Sequence, residues 1–214
     1  MGPAEKHLAK VDRHMAKVVG KQTPFPSAFK TASKDPYRAL IRAVVFQQLS
    51  GKAATTIYNR VMALFPDKAH PDPHDLIKAK DETLRGAGLS RQKIAALRDI
   101  SQKRLEGVIP VSRALNRLPD EEIIARLTAA RGVGRWTVEM YLIFSLCRPD
   151  VLPIDDLGVR KGAEKITGRS FTPKELAAYG ERWAPHRSAA AWHCWRALET
   201  VLMAKPAERS GGKV

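Results

Sequence analysis

The chain has 214 residues, which is enough for one domain of two lobes or for two small domains with their own cores. Lysine and arginine number 37 against 22 aspartate and glutamate, so the net charge is +15, and it is spread along the chain. This charge favours a folded basic surface that binds nucleic acid over a disordered basic arm. No apolar run approaches the roughly 20 residues that span a bilayer, and no secretory signal is recognisable, which argues against a membrane protein.

Two cysteines, Cys147 and Cys194, each lie in an apolar helical context. They are too few for a four-cysteine iron–sulfur cluster or a disulfide framework, and they suit a reducing compartment. The proline-rich segment between His70 and His74 is better explained as an exposed loop than as a metal clamp. We therefore expect a cytoplasmic, nucleoid-associated protein that requires no cofactor.

Apolar residues recur at helical spacing along almost the whole chain, and proline or glycine separates the periodic segments. Helices are predicted over residues 4–19, 36–48, 51–65, 73–79, 81–86, 90–106, 119–130, 135–147, 156–167, 173–183 and 187–204. No stretch alternates apolar and polar residues long enough to predict a strand. The predicted fold class is therefore all-α, and the polar residues 205–214 are expected to form a disordered tail.

The most informative segment runs from Leu127 to Thr137. Apolar periodicity predicts a helix on either side of Gly132-Val133-Gly134, which is typical of a tight hairpin. The two glycines let the backbone approach a ligand, and the N-terminus of the second helix adds unpaired donors and a partial positive charge. Arg131 and Arg135 flank the turn, which strengthens the prediction of a site for an anionic oxygen. A Gly-x-Gly pair alone most often only closes a turn, so the surrounding sequence must decide.

Three segments carry a resemblance to the helix-hairpin-helix glycosylase superfamily: Leu127–Thr137 with the loop to Asp156, the segment from Phe46 to Ala54, and Arg187–Arg196. Within that superfamily the chain is most similar to the 3-methyladenine DNA glycosylase II family, in a compact form without an N-terminal β-domain. Family members excise alkylated bases. The resemblance covers about residues 36–204.

This resemblance implies two all-α helical lobes with an active cleft between them. Residues 36–147 would form a helical barrel, and 1–35 together with 148–204 would form the second lobe. The implied partner is double-stranded DNA that contains alkylated bases, bound by a monomer. Backbone carbonyls around the hairpin would be able to hold a sodium or potassium ion; these are the carbonyls of Thr128, Ala130 and Val133.

An enzyme that acts on a duplex base must flip the nucleotide out and fill the gap that it leaves. The resemblance places the wedge at Gln48 and a second wedge at Leu89. Leu89 has a nearly equal alternative as a hydrophobic staple in front of a Ser90 cap, and Gln47 has one as a hydrogen-bonding link between helices. The residues expected to contact DNA are Gln47, Gln48, Leu49, Ser50, Leu89, Arg131, Gly132, Val133, Gly134, Arg135 and Thr137.

Cleavage of an N-glycosidic bond develops positive charge on the sugar, which an ionised carboxylate beside C1′ stabilises. Asp156 is the first choice, because it begins a predicted helix whose dipole favours the ionised form and because the resemblance places the catalytic aspartate there. Asp155 is the second choice. The alternative is that either residue only caps the helix.

The residue at position 136 separates two mechanisms. In superfamily members that also cleave the strand, a lysine there forms a Schiff base with the sugar, whereas this chain has Trp136. The resemblance thus implies simple hydrolysis that leaves an abasic site. Lys161 or Lys165 could in principle replace the missing amine, although most lysines in so basic a chain are solvated or face phosphates.

Aromatic residues suggest a pocket for an electron-poor base: Trp136, Tyr141, Trp195 and Trp192. A cationic alkylated purine gains about 1 kcal/mol or more from stacking on such rings. Core packing is the favoured explanation for Trp192 and an equal alternative for Trp195, although the resemblance implies that Trp195 lines the pocket. The sequence leaves open whether the base is 3-methyladenine, 7-methylguanine, ethenoadenine or hypoxanthine. The competing hypothesis is a non-catalytic helix-hairpin-helix module that only binds DNA.

Overall fold

The computed structural model describes residues 1–26, 33–115 and 117–203, with side chains described as far as residue 198. Every regular element in these ranges is a helix, which confirms the all-α prediction. The expected tail at 205–214 lies outside the described residues. Within the described ranges, no helix is long and apolar enough to cross a membrane.

The helices are short and follow one another closely. In chain order they are α1 (Pro3–Val11), α2 (Arg13–Val19), α3 (Pro36–Phe46), α4 (Gly51–Ala63), α5 (Pro73–Lys78), α6 (Asp81–Gly86), α7 (Arg91–Leu105), α8 (Ser112–Leu115), α9 (Asp120–Thr128), α10 (Arg135–Phe144), α11 (Leu157–Thr167), α12 (Pro173–Gly180), a 3₁₀ helix (Glu181–Trp183) and α13 (Arg187–Met203). The predicted helix 173–183 is therefore α12 followed by the 3₁₀ turn, and the four-residue α8 was not predicted.

The single helix predicted at 4–19 is wrong, because the chain breaks at Asp12. Asp12 has extended backbone angles, and its carboxylate accepts hydrogen bonds from the N–H groups of His14 and Met15, so it caps α2. The same carboxylate accepts from the Trp183 indole at 2.9 Å and the Tyr179 hydroxyl at 3.0 Å. Burial alone would raise the pKa of Asp12, but these hydrogen bonds outweigh it and lower the pKa.

The chain divides into two compact units, and unit 1 combines Met1–Ser27 with Arg148–Val214. In unit 1, α11 packs against α13, and α2 contacts both helices. The core of this unit includes the fully buried side chains of Leu8, Met15, Leu176 and Trp183. This packing fixes the start of α11, where Asp156 lies, and the middle of α13, which carries the tryptophans.

Unit 2 runs from Ala28 to Cys147, whereas the sequence places this lobe at 36–147. α7 packs against α3, α5 and α6, while α10 packs against α9 and α3. The fully buried side chains of this unit include Leu40, Ile41, Leu97, Ile100 and Leu142. The loop after α3 and the hairpin between α9 and α10 both belong to this unit, and the loop and the hairpin each reach α7.

Candidate functional site

The predicted hairpin lies between α9, which ends at Thr128, and α10, which begins at Arg135. Gly132 has a φ of +77°, and a Cβ atom on it would lie 3.2 Å from the Ala96 Cβ, so both its conformation and its surroundings favour glycine. Gly134 is the N-cap of α10, with no side-chain cap and no atom within 4 Å of a Cβ built on it. The ten-residue α10 thus begins at an open stretch of backbone, which is suited to an anionic oxygen.

The two arginines that flank the hairpin differ in their surroundings. The Arg131 side chain is exposed, while its backbone N–H donates to Asp99 Oδ2 at 2.7 Å. The Arg135 guanidinium pairs with Glu121 and donates to Glu139 Oε1 at 3.1 Å. Glu121 raises the pKa of Arg135, in keeping with a tight ion pair. Arg135 thus links α10 to α9 and its charge is balanced by these two glutamates, whereas the charge of Arg131 faces solvent; that either contacts DNA stays a prediction.

The other hairpin residues also divide into inward and outward side chains. Val133 and Thr137 are buried, so any contact of theirs with DNA would use the backbone. Trp136 is 48% exposed, which is unusual for a ring of this size at the start of a helix. Exposed aromatic rings are a common platform for base stacking, and such a role for Trp136 stays a prediction.

The loop after α3 projects two side chains. Gln48 is exposed and has a φ of +56°, a left-handed conformation that is rare for glutamine. Leu49 is 39% exposed, and Ser50 caps α4 by accepting a hydrogen bond from Ala53 N. Gln47 behaves differently, because its side-chain Nε2 donates to the Gly132 carbonyl at 2.9 Å. The linking alternative for Gln47 is therefore favoured, and Gln48 and Leu49 remain as wedge candidates.

Leu89 is only 3% exposed, so its side chain could enter DNA only by leaving the core. Ser90 caps α7 through a hydrogen bond from Lys93 N, and Ile94, four positions into the helix, is also buried. Leu89 and Ile94 thus occupy the two positions of a hydrophobic staple. This burial favours the staple over the second wedge.

Asp156 is half-buried and is itself the N-cap of α11, while Asp155 is exposed. The Asp156 Oδ1 atom accepts from Val159 N at 2.7 Å and from the Trp195 indole Nε1 at 2.9 Å. Two donors on different helices therefore fix the orientation of this carboxylate. The N-terminus of α11 adds a partial positive charge beside this carboxylate.

Two neighbours of Asp156 have roles that the sequence did not predict. A Cβ atom on Gly158 would lie 2.8 Å from Trp195 Cδ1 and 3.0 Å from Asp156 Oδ1, so only glycine leaves room for the indole to reach the carboxylate. Leu157 is 61% exposed, an apolar side chain in solvent directly after the candidate catalytic residue. One sequence feature could have indicated a role for Gly158. It lies in the first turn of a predicted helix, where glycine has a low helix propensity and its presence calls for an explanation.

The remaining predicted pocket aromatics are packed within their own units. The Trp192 indole donates to the Thr23 carbonyl at 2.9 Å, and its ring contacts Phe25 edge-on, which favours the packing alternative. Tyr141 is only 4% exposed, and its hydroxyl donates to the Lys34 carbonyl at 2.7 Å. Burial raises the pKa of the Tyr141 hydroxyl. Tyr141 therefore lies in the wall of unit 2, and its place in a base pocket stays a prediction.

An open cavity of about 590 Å³ lies within unit 2, between α3 and α10. Thr137, Met140 and Tyr141 line it along α10, and Arg38 and Arg42 line it along α3. Among the described side chains, no group of three His, Cys, Asp or Glu residues could hold a metal ion. The cavity is lined by apolar side chains together with the two arginines of α3.

The model of the HhH-GPD superfamily of base excision DNA repair proteins matches residues 41–186, which is more than half of the chain. The chain belongs to this superfamily. The matched segment contains the loop after α3, the hairpin and Asp156. The resemblance that the sequence showed is confirmed.

Some relatives of this HhH-GPD chain are similar to it over nearly their whole length. DNA-3-methyladenine glycosylase 1 from Schizosaccharomyces pombe is 40% identical over 95% of this chain and 90% of its own. The solved structure of the S. pombe 3-methyladenine DNA glycosylase in complex with abasic DNA is 37% identical, with a TM-score of 0.83, and covers 97% of this chain and 100% of that chain. The DNA-3-methyladenine glycosidase from Bacillus halodurans is 32% identical, with a TM-score of 0.84, covering 95% and 92%.

Proposed function

We propose that this chain is a monofunctional DNA glycosylase that flips an alkylated purine of the 3-methyladenine type out of duplex DNA and hydrolyses its N-glycosidic bond. The observation that carries the proposal is the Asp156 carboxylate, held at a helix N-terminus by Val159 N–H and the Trp195 indole. Superfamily membership and the names of the relatives support the same activity. The product is an abasic site in base excision repair.

Asp156 acts on the positive charge that develops at the sugar C1′ as the bond to the base breaks. The base leaves with the electron pair of that bond, and a water oxygen forms the new bond to C1′. The water loses one proton to Asp156 or to solvent. A purine alkylated on a ring nitrogen already carries positive charge, so it leaves as a neutral base without a strong general acid. Fixed donors on the carboxylate lower the reorganisation needed at the transition state.

The lysines near Asp156 support hydrolysis over Schiff-base chemistry. Position 136 carries an indole, which cannot form an imine with the sugar. The Lys161 ammonium lies 2.9 Å from Glu164, and the Lys165 ammonium donates to the Ala197 carbonyl at 2.7 Å. Both amines are therefore occupied by partners on their own unit. Borohydride trapping of the protein on damaged DNA is expected to yield no covalent adduct.

DNA binding rests on the hairpin, the loop after α3 and the excess of positive charge. The open start of α10 would hold a phosphate, exposed Arg131 would add charge, and Gln48 with Leu49 would fill the gap left by the flipped base. Trp136 would stack on the electron-poor base. We further propose that the protein binds DNA as a monomer.

The hairpin also suits a monovalent cation. Thr128 ends α9, so its carbonyl lies in the last helical turn, and the Ala130 carbonyl accepts a backbone hydrogen bond from Val133 N at 3.1 Å, which leaves it a second lone pair. Together with the Val133 carbonyl they would offer a set of neutral oxygen ligands, which a hard ion such as sodium or potassium prefers. Such an ion would add positive charge beside a DNA phosphate.

Replacement of Asp156 by asparagine tests the proposal, because asparagine also caps helices and preserves the fold. Release of free base from methylated duplex DNA is measured together with DNA affinity, with Asp155→Asn as the matched control. We expect Asp156→Asn to lower release by at least about 100-fold while affinity is retained. Unchanged release would move the catalytic role to another residue. Tight binding without any release by the wild type would instead support the non-catalytic DNA-binding module.

A further inference from the structure

α7 contacts both DNA-binding elements of unit 2 through polar side chains. Near its start, the Lys93 ammonium donates to the carbonyls of Val45 at 2.7 Å and Gln47 at 2.9 Å. Nearly two turns later, Asp99 Oδ2 accepts the backbone N–H of Arg131 at 2.7 Å. One helix therefore binds the loop after α3 at one point and the hairpin at another.

The Lys93 contact falls where α3 ends. The last carbonyls of a helix have no intrahelical donor and carry a partial negative charge, so a cation there satisfies them. Many helices end with a left-handed residue directly after the C-cap, and Gln48 takes this position after α3. Lys93 adds a side-chain donor from α7 to the carbonyls of Val45 and Gln47. Burial lowers the pKa of Lys93, in keeping with an ammonium group drawn out of solvent to reach these carbonyls.

Gln47 joins the loop to the hairpin directly. Its backbone carbonyl accepts from Lys93, and its side-chain Nε2 donates to the Gly132 carbonyl at 2.9 Å. Gly132 in turn approaches Ala96 of α7 closely, as the 3.2 Å distance to a built Cβ shows. Gln48 and Arg131 both line an open cavity of about 280 Å³, and the Gln47 side chain forms a direct hydrogen bond between the two elements.

We propose that Lys93 is a positioning residue for base flipping: it holds Gln48 in its left-handed conformation, and through Gln47 it fixes the distance between the wedge and the phosphate-binding hairpin. This inference rests on the proposed function. Binding of a phosphate at the hairpin then determines where the wedge meets the base stack. Neither Lys93 nor Gln47 needs to touch DNA for this role.

The test measures flipping separately from base release. A 2-aminopurine placed next to the damaged base becomes brighter when its neighbour unstacks, and stopped-flow fluorescence follows this step. We expect Lys93→Met to slow unstacking by about tenfold while affinity for undamaged duplex changes less than about twofold. Lys78→Met, which removes the same charge from an exposed position on α5, is the matched control and should leave unstacking unchanged.

A double-mutant cycle separates positioning from a general structural effect. If Lys93 acts through the wedge, Lys93→Met should cause no further slowing in a Gln48→Ala background. An equal loss in both backgrounds, or no loss in a folded Lys93→Met protein, would overturn the inference. Should Lys93→Met fail to fold, Gln47→Ala removes the bridge to Gly132 and is expected to show the same dependence on Gln48; additive losses there would contradict it. Flipping by a wild type that releases no base would refute the proposed glycosylase function and leave this inference standing.

Discussion

The hairpin region of unit 2 and the Asp156 region of unit 1 are built in opposite ways. In the hairpin region backbone N–H groups at the start of α10 would hold a phosphate beside the exposed Arg131, and side chains of α7 bind the hairpin backbone and the end of α3. In the Asp156 region the reactive group is a side chain, held by one backbone N–H and one indole. Several hydrogen bonds hold the hairpin region. The Asp156 region depends on the close approach of the Trp195 indole to Gly158.

This difference predicts how each region tolerates change. Loss of one hydrogen bond among several shifts a loop only slightly, because the remaining bonds still restrain the backbone. Two donors meet on one oxygen of the Asp156 carboxylate, so blocking one of these contacts changes the position of the reactive group itself. Substitutions around Asp156 should therefore have the largest effects on catalysis. Substitutions around the hairpin should mainly cause smaller changes in DNA affinity or in the rate of flipping.

Apart from replacement of Asp156 itself, Gly158→Ala should have the largest effect on either region. The added Cβ would lie 2.8 Å from Trp195 Cδ1, so the indole must move and Asp156 loses one of its two donors. A displacement near 1 Å at a reacting group costs about 100-fold, which is the expected loss in the single-turnover rate of base release. Gly86→Ala is the control, because nothing lies within 4 Å of a Cβ there. A Gly158→Ala enzyme with full activity would show that the indole contact is dispensable.

Trp195→Phe and Trp192→Phe compare two tryptophans on the same helix. Trp195→Phe keeps an aromatic ring but removes the hydrogen bond to Asp156, which should lower the rate of release by about tenfold, since a bond to a charged group contributes about 1.5 kcal/mol or more. Trp192→Phe removes the bond to the Thr23 carbonyl and should lower the free energy of unfolding by about 1 kcal/mol without slowing release. Denaturant melts and single-turnover assays of both variants check this contrast. Equal losses of activity would contradict it.

The sequence predicted the helices well because the apolar period of an amphipathic helix is a local signal. It failed at Asp12, where a cap and two distant aromatic donors interrupt an otherwise continuous pattern. The hairpin and Asp156 could be located because glycine spacing and a capping aspartate are also local. The burial of Leu89 and Tyr141 could not be predicted, because their types suit either a core or a surface, and only the packed fold distinguishes these.

The supporting residues of the site could not be predicted for a different reason. Lys93 acts on a carbonyl 48 residues away in the chain, and Trp195 on a carboxylate 39 residues away. Among so many basic residues, one lysine that binds backbone carbonyls has no distinguishing sequence pattern. Gly158 could be predicted in part. The sequence shows a glycine in a helical turn, but it does not show that Trp195 packs against it.

Arg131→Ala and Arg135→Ala test the difference between the two arginines of the hairpin, one exposed and one in ion pairs. The exposed Arg131 is placed to bind a phosphate, so its removal should reduce the slope of log affinity against log salt by about 0.9. Arg135 already pairs with Glu121 and Glu139, so its removal should mainly lower the melting temperature and leave the salt slope unchanged. Titrations of undamaged duplex between low and moderate salt give both slopes. A reduced slope for Arg135→Ala alone would reverse the assignment.

Gln48→Gly should have the smallest effect on the free energy of unfolding, and the sign of that effect is informative. A left-handed conformation costs a non-glycine residue about 1–2 kcal/mol, while glycine adds about 0.5–1 kcal/mol of backbone entropy to the unfolded chain. The net gain in the free energy of unfolding should therefore be about 0.5–1 kcal/mol, although flipping is slowed because the wedge is lost. Gln102→Gly, on an exposed position of α7, should instead destabilise by about 1 kcal/mol. If Gln48→Gly also destabilised the protein, Gln48 would contribute native contacts that outweigh its strain. A gain would mean that the strained loop is retained for its function.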